Sequence, residues 1–495
     1  MRTSLLSDWL AQRLDKASVE PSYRQLQRLL REAILAHELP AGRKLPSSRM
    51  LATELGIARN TVIQVYEQLA VEGYLLAGTG SGTFVADSSP DQQMLGSAAA
   101  APASSDSGEH LSQRGQRLIA SAGVSRRQWG AFVPGVADVT RFPAAIWSRL
   151  QARHMRNPRP ELLSYAPPGG HAPLREALAD YLRNARSVRC EPEQIIITTG
   201  IHQSVDLAVR LLCDPGDAVW TEDPCYWGVR SVMQASGLQL KPIAVDAEGI
   251  NPSPEDLATP PRMMLVTPSH QYPLGMVMSL ARRRMLLEFA RQRDCWIIED
   301  DYDSEFRYAN RPLMSLQGMD DADRVIYVGS FGKILYPGLR IGYLVVPPAL
   351  AEPFAVALAE LYREGQLLQQ AVLSDFIAEG HFSSHIRRMR NVYGSRREIL
   401  MQEISRHFGD AVSVRGDEAG LHLVATLPGH VDDRQIAQDA LAAGIATRPL
   451  SSYYNQANAP ERGLLLGYAC VQDDDIARHF ATLARVIEEH LQIHR

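Results

Sequence analysis

The stretch from Ala86 to Gly108 is rich in Ser, Ala, Pro, Asp and Gly, and its run Ala98-Ala99-Ala100-Ala101-Pro102-Ala103-Ser104-Ser105 has too little apolar surface to bury a core. It divides the chain into parts that must fold separately. With 495 residues, 45% of them hydrophobic, there is room for a small domain and a large one. The expected organisation is a head at residues 1–86, a flexible linker at 87–130 and a body at 131–495.

Charge is unevenly placed. The net charge is −5, which argues against a wholly basic coat protein, yet a global sum can hide a local basic face. From Pro21 to Asn60 the bases Arg24, Arg28, Arg31, Arg43, Lys44, Arg49 and Arg59 outnumber the acids Glu32, Glu38 and Glu54. The five cysteines are scattered without a CxxC pair, as expected of a reduced cytoplasm. The opening residues have no long apolar core before Asp8, and no later apolar run reaches the ~20 residues that cross a bilayer. A soluble, cytoplasmic protein with no membrane partner is expected.

In the head, Tyr23 to Ala36 has helical spacing of Leu26, Leu29, Leu30, Ala33 and Ile34, and Pro40-Ala41-Gly42 stops it. Pro46-Ser47-Ser48-Arg49 opens a short helix to Leu55, Gly56 turns the chain, and Asn60-Thr61 is expected to cap a third helix through Ala70. Tyr74–Leu76 and Gly82–Val85 read as a hairpin joined by Gly78-Thr79-Gly80-Ser81. Helix, turn, helix and hairpin suit double-stranded DNA: Arg59, Asn60, Thr61 and Gln64 lie at the start of the third helix, where side chains reach base edges. Ser47, Ser48 and Arg49 lie at the preceding helix N-terminus, which suits phosphate. A helical interaction module with a solvated basic face remains the alternative at this point.

Beyond the linker, helices alternate with the short apolar strands Gln194–Thr198, Ala218–Trp220, Met263–Val266, Trp296–Asp300 and Val325–Val328. This alternation predicts an α/β domain with a mostly parallel sheet. After the last of these strands comes Ser330-Phe331-Gly332-Lys333, followed by Arg340. A lysine so placed suits an aldehyde cofactor that carries a phosphate. Pyridoxal 5'-phosphate needs a lysine for a Schiff base, an acid at the pyridine nitrogen, an aromatic over the ring and donors around the phosphate. Lys333 is the candidate lysine, with burial and the cationic Arg340 expected to help it lose a proton. Ser330 and Arg340 can share the phosphate. Strand Trp296-Ile297-Ile298 ends in Glu299-Asp300-Asp301-Tyr302-Asp303, at the sheet edge where α/β proteins bind ligands. Asp300 is assigned to the ring nitrogen and Tyr302 to the phenolic oxygen. Gly200 to His202, opening a helix, offer backbone N–H groups to an anion. Tyr226 can stack on the ring, or be ordinary core. A metal site built from Asp300, Asp301, Asp303 and Glu305 is the competing reading of the acids.

Two resemblances sharpen both halves. Leu45-Pro46-Ser47-Ser48-Arg49-Met50-Leu51-Ala52, Gly56-Ile57-Ala58-Arg59-Asn60-Thr61-Val62 and Tyr66-Glu67-Gln68-Leu69 resemble the winged helix-turn-helix of GntR-type transcription regulators, from about Tyr23 to Val85. Ser164 to Gly170 with Leu174-Arg175-Glu176-Ala177, Thr267 to Gly275, Glu299 to Arg307 and Lys333 to Tyr343 resemble a fold-type I aminotransferase from roughly Phe132 onward. Joined, the chain resembles the MocR/GabR subfamily, in which an aminotransferase-like α/β domain senses rather than metabolises. The fold so implied is a small α+β winged helix-turn-helix followed by a large α/β pyridoxal-phosphate domain. The resemblance implies Lys333 as Schiff-base lysine, Asp300 and Tyr302 on the ring, Tyr226 stacking, and Gly200, Ile201, Ser330 and Arg340 at the phosphate. A tyrosine matching Tyr165 usually reaches the phosphate of the neighbouring subunit, which implies a homodimer.

The pattern also departs from that family. The aminotransferase fold commonly holds a substrate carboxylate with an arginine on a late strand. Here that strand is Gly463-Leu464-Leu465-Leu466-Gly467-Tyr468-Ala469, with Leu465 at the arginine's place. Arg462 or Arg448 can compensate, but neither is placed by the motif. The subfamily member that senses gamma-aminobutyrate has an arginine two residues after the stacking tyrosine, where this chain has Gly228. The expectation is a transcription regulator responding to pyridoxal phosphate, alone or with an amino compound, in vitamin B6 or amino-compound metabolism. The alternatives are a DNA-tethered aminotransferase with real turnover, and a structural DNA-binding dimer with a vestigial cofactor site.

Overall fold

The computed structural model describes residues 3–15, 18, 20–78, 82–86, 111–120, 123, 128–308, 314–363, 365–455 and 460–491. The chain divides into two compact units, Met1–His110 and Leu111–Arg495. Of the stretch expected to be a linker, residues 87–110 lie outside those described. A helix not anticipated from periodicity, Gln113–Ala120, forms within the second unit.

The first unit opens with a further unanticipated helix, α1 (Thr3–Arg13), followed by α2 (Ser22–Leu35), α3 (Ser48–Leu55), α4 (Arg59–Val71) and the antiparallel pair β1 (Leu75–Gly78) and β2 (Gly82–Val85). Leu6, Leu10 and Leu14 join Leu26, Leu29 and Leu30 in one apolar cluster, so α1 completes a core that the other three helices leave open. Ser47 caps α3 by accepting from the Met50 N–H at 3.2 Å, and Gly56 ends it in the left-handed conformation at φ 61°, turning the chain into α4. Asn60 and Thr61 do not cap α4. Ala58 holds that position without a side-chain bond, which makes Asn60 and Thr61 the second and third residues of the helix. Tyr66 on α4 donates to the Pro46 carbonyl at 3.0 Å, fixing α4 against the start of α3.

The second unit is built on an eight-stranded sheet. Its strands are β3 (Ile195–Thr198), β4 (Ala218–Asp223), β5 (Gln239–Asp246), β6 (Gly249–Ile250), β7 (Met263–Val266), β8 (Trp296–Asp301), β9 (Val325–Ser330) and β10 (Gly342–Val345), in spatial order β3-β10-β9-β8-β7-β4-β5-β6. The five strands from β9 to β5 run parallel, while β10 is antiparallel to both β9 and β3. Thus β3 points the same way as β9, and the chain leaves β3, β4, β8 and β9 at one edge. Both faces are covered: Ile195 and Ile197 pack in one cluster with Leu174 and Leu178, whereas Ile196 packs on the other side with Val205 and Leu344.

A second, antiparallel sheet follows, β11 (Ser413–Arg415), β12 (His422–Leu427), β13 (Arg448–Pro449) and β14 (Arg462–Gly467), in order β11-β12-β14-β13, with Arg448 opposite Leu465.

One buried ion pair holds the carboxyl end of β8. Asp301 lies 2.7 Å from the Arg186 guanidinium and accepts from the Tyr327 hydroxyl, while Arg186 donates to Ser269 Oγ at 2.9 Å. Both ions are shut off from water, so neither can lose its partner without leaving a buried charge. Arg186→Leu is therefore expected to destabilise the second unit by about 3–5 kcal/mol in denaturant unfolding, and a loss below about 1 kcal/mol would contradict that role.

Candidate functional site

At the shared strand edge lies a cavity of about 170 Å³ lined by Thr199, Gly200, Ile201, His202, Tyr226, Tyr272, Asp300, Tyr302, Ser330, Gly332, Lys333, Pro337, Arg340 and Ile341. Of the ten residues expected around a cofactor, the cavity brings nine together. They come from four separate strand ends, as expected where parallel strands release their loops. Tyr165 stands apart: it is 74% exposed, does not line this cavity, and its ring lies 5.3 Å from the Arg363 guanidinium.

Two polar side chains in the wall lack a hydrogen-bond partner among the described residues. Asp300 is only 7% exposed and has no hydrogen bond or ion pair among the described residues, and His202 Nε2 is buried without a hydrogen-bond partner. A buried carboxyl group without a donor is costly, and burial, with Asp301 adding to it, pushes the Asp300 acid up to about 8. A cationic ring nitrogen is the kind of group that this acid is placed to meet. At the other end, the helix Ile201–Leu212 starts at Gly200, whose φ of 117° a side chain would strain. The first N–H groups of a helix have no intrahelical acceptor. The Arg340 guanidinium closes over this start: a Cβ added to Gly200 would lie 3.8 Å from its Nη2. Arg340 itself is held at a positive φ of 51°. Backbone, guanidinium and the Ser330 hydroxyl thus form a set of donors of the kind that suits an anion. The donor set fits a phosphate at one end and a protonated ring nitrogen at the other.

Lys333 is half-buried, and its Nζ donates to the Gly135 carbonyl at 2.5 Å. Burial lowers its pKa, with Asp303 and Asp300 opposing and Arg448 assisting. The arginine felt at Lys333 is thus Arg448, where Arg340 was expected. Arg340 acts on His202, which burial, Arg340 and Lys333 together keep neutral. The His202 and Tyr226 rings stack with centroids 5.8 Å apart and planes at 20°. Tyr302 Oη lies 2.8 Å from His270 Nδ1, which lies 3.0 Å from Asp303 Oδ1, so the hydroxyl is held from behind.

The acids expected as an alternative metal site are dispersed. Asp301 is taken by Arg186 and Tyr327, Asp303 by His270, and Glu305 accepts from the Tyr181 hydroxyl at 3.3 Å. Among the described residues no group of three or more His, Cys, Asp or Glu side chains is arranged to hold a metal ion.

Gly228 has a spatial reason to be glycine. A Cβ there would lie 2.3 Å from His202 Nε2 and 2.5 Å from the Tyr226 ring, so an arginine at this position would break the stack. Leu465 is fully buried with Leu274, Val424, Leu450 and Tyr453, and no cation replaces it on its own strand, since Arg462 is paired with Asp433 at 3.3 Å. Sequence reasoning gave no role to Gly135 or Tyr272. Each lies in a turn punctuated by proline (Pro134-Gly135, Tyr272-Pro273), the one signal that set them apart from core residues.

In the first unit, α4 separates two faces. Val62, Val65, Tyr66 and Leu69 are buried, whereas Arg59, Asn60 and Gln64 are exposed and Thr61 is half-buried. Arg49 and Ser47 are exposed at the start of α3, and Ser48 Oγ accepts from Arg59 Nε at 3.5 Å, joining the two helix starts. Lys44 forms an isolated bridge with Phe84, adding a cation beside the hairpin.

Comparison with known proteins accords with both geometries. Residues 22–85 match the family model of bacterial regulatory proteins, gntR family, and residues 142–479 match aminotransferase class I and II. The probable rhizopine catabolism regulatory protein MocR of Rhizobium meliloti is 40% identical over 92% of both chains. The pyridoxine biosynthesis transcriptional regulator PdxR of Corynebacterium glutamicum is 30% identical over 91% of this chain and 93% of its own. Among solved structures, the α-aminoadipate aminotransferase LysN of Thermus thermophilus, complexed with N-(5'-phosphopyridoxyl)-L-leucine, superposes with a TM-score of 0.69 at 27% identity, covering 76% of this chain and 98% of LysN. The chain belongs to the MocR-type regulators, in which a gntR-family helix-turn-helix precedes an aminotransferase class I and II domain.

Proposed function

We propose that this protein is a DNA-binding transcription regulator whose affinity for its operator depends on pyridoxal 5'-phosphate held in the cavity around Lys333, alone or with an amino compound. The observation that carries this reading is that one chain has both an exposed polar helix face on a helix-turn-helix and a cavity with a lysine, an acid that has no hydrogen-bond partner among the described residues, and a set of donors suited to an anion. A regulator of this kind works where DNA is, in the cytoplasm. The joint between the two parts would be shorter than the sequence expectation of 87–130, since the helix Gln113–Ala120 belongs to the second unit, and the exposed Tyr165, outside its own cavity, is available to a second copy in a homodimer.

When bound, the cofactor supplies an aldehyde that condenses with a lysine amine and an aromatic ring that draws electrons from that linkage. Lys333 offers that amine, and burial shifts it toward the unprotonated, nucleophilic form. Asp300 would hold a proton at the ring nitrogen, Tyr302 would orient the phenolic oxygen, and the His202–Tyr226 stack would cover a ring face. Gly200, Ile201, Ser330 and Arg340 would hold the phosphate. Leu465, sealed into an apolar cluster, gives a substrate carboxylate no grip on β14, which favours sensing over efficient turnover.

Three outcomes test this. With DNA selected from a random pool by the wild-type protein, Lys333→Ala should still bind DNA but lose the change in affinity that pyridoxal phosphate produces; an undiminished response in the mutant would contradict the proposal. Arg59→Ala and Asn60→Ala should each cost about 1–3 kcal/mol and relax base preference, whereas Arg49→Ala should weaken all sequences alike and reduce the salt slope by about 1. Equal loss on all sequences from all three would reject base reading by α4.

The third concerns pH. Asp300 has a folded pKa of about 8, above its ordinary 3.8, so the folded, cofactor-free protein keeps a proton that the unfolded chain has released. Its contribution to stability is full below pH 3.8 and is lost as the pH rises toward 8. Asp300→Asn is expected to flatten that part of the decline, read from denaturant midpoints across the range; an unchanged slope would show that Asp300 is ionised in the cavity.

A further inference from the structure

Arg448 occupies the two-residue strand β13, directly opposite the buried Leu465 of β14. The apolar cluster around Leu465 extends through Leu274, Leu450 and Tyr453 to Tyr272, which also lines the cavity, so β13 and β14 lie just behind the cavity wall. Arg448 is half-buried there. Its one side-chain hydrogen bond among the described residues goes from Nη1 to the carbonyl of Gly123 at 3.1 Å, and no carboxylate pairs with it among those residues. Of the other arginines nearby, Arg462 is committed to Asp433, and Arg230 donates to the Tyr453 carbonyl at 3.4 Å.

A neutral carbonyl satisfies one donor and none of the charge. A half-buried guanidinium without a counter-ion, beside a cavity, is suited to a planar anion that can take its fork bidentately. The charge is felt inside: it acts on Lys333, Tyr226, Tyr272 and Tyr453, each against or around the cavity. The phosphate cradle lies elsewhere, at the start of the helix Ile201–Leu212, and has its own arginine in Arg340. An anion held at Arg448 would therefore be a second one, on the side of Tyr272 and Tyr453.

Resting on the reading of the cavity as a pyridoxal phosphate site, we propose that Arg448 recognises the carboxylate of an amino-acid effector whose amine is directed at Lys333. The effector class is then amino acids rather than simple amines, and the carboxylate contact comes from β13 instead of β14.

The test uses the full-length protein loaded with pyridoxal phosphate and follows its visible absorbance during titration with matched pairs: alanine and ethylamine, leucine and isopentylamine, phenylalanine and phenethylamine, tyrosine and tyramine. The readout is the ratio of half-saturating concentrations of acid and amine within each protein, so that any change in cofactor affinity cancels. In the wild type at least one acid should act at concentrations about tenfold or more below its amine, a preference that Arg448→Gln reduces to within about twofold. Arg448→Lys, which keeps the charge and loses the fork, should fall between and serves if the glutamine variant does not fold. Retention of the full preference in either variant would overturn the proposal. So would a wild type that binds the cofactor but prefers no acid over its amine, and the cofactor alone would then be the signal. A wild type that shows no cofactor band before any amino acid is added would instead defeat the underlying reading of the cavity.

Discussion

An amine and a carboxyl group withdrawn from water in the same cavity impose the constraint around which the second unit is arranged. Burial disfavours the charged form of both Lys333 and Asp300, and neither has an ion-pair partner among the described residues. Such an arrangement costs stability, and the surrounding structure carries it. Asp301, next in the chain, is fixed by the buried Arg186 and by Tyr327. Tyr302 is held through His270 and Asp303, and Lys333 rests on the Gly135 carbonyl. The parallel run of strands makes this affordable, because four strand ends deliver their loops to one edge and each loop is anchored in a sheet buried on both faces.

Much of this was legible in the chain. Runs such as Ile195–Thr198 and Met263–Val266 are too short and too apolar to be anything but buried strands, and residues just beyond them, Gly200, Asp300, Tyr302 and Lys333, are of the types a phosphorylated aldehyde requires. The head was equally readable from Leu26, Leu29, Leu30, Ala33 and Ile34, which are buried as their spacing predicts. Other features were not legible, because they depend on contacts distant in sequence. Helix α1 has no strong amphipathic stripe, and its leucines matter only once they meet α2 and α3. Asn60 and Thr61 have capping side chains, but the turn from Gly56 places Ala58 at the cap and leaves them inside the helix. The influence of Arg448 on Lys333 arises from a strand pairing of a second sheet that no local pattern announces.

Gly228 and Leu465 stand where an arginine was expected, and each has a packing reason. Leu465 lies outside the cavity lining, whereas Gly228 packs against His202 and Tyr226, which belong to it. Gly228 leaves room for the His202–Tyr226 stack, and Leu465 turns a possible carboxylate grip into core.

A ligand in the second unit can affect DNA only through a difference in its affinity for two states of the protein, and the effect must run both ways. The affinity for pyridoxal phosphate, read by absorbance, should therefore be measured with and without saturating DNA. If the cavity is the sensor, DNA should change that affinity by about fivefold or more, by the same factor with which the cofactor changes DNA binding. Identical affinities with and without DNA would mean that the two units share a chain without sharing a signal.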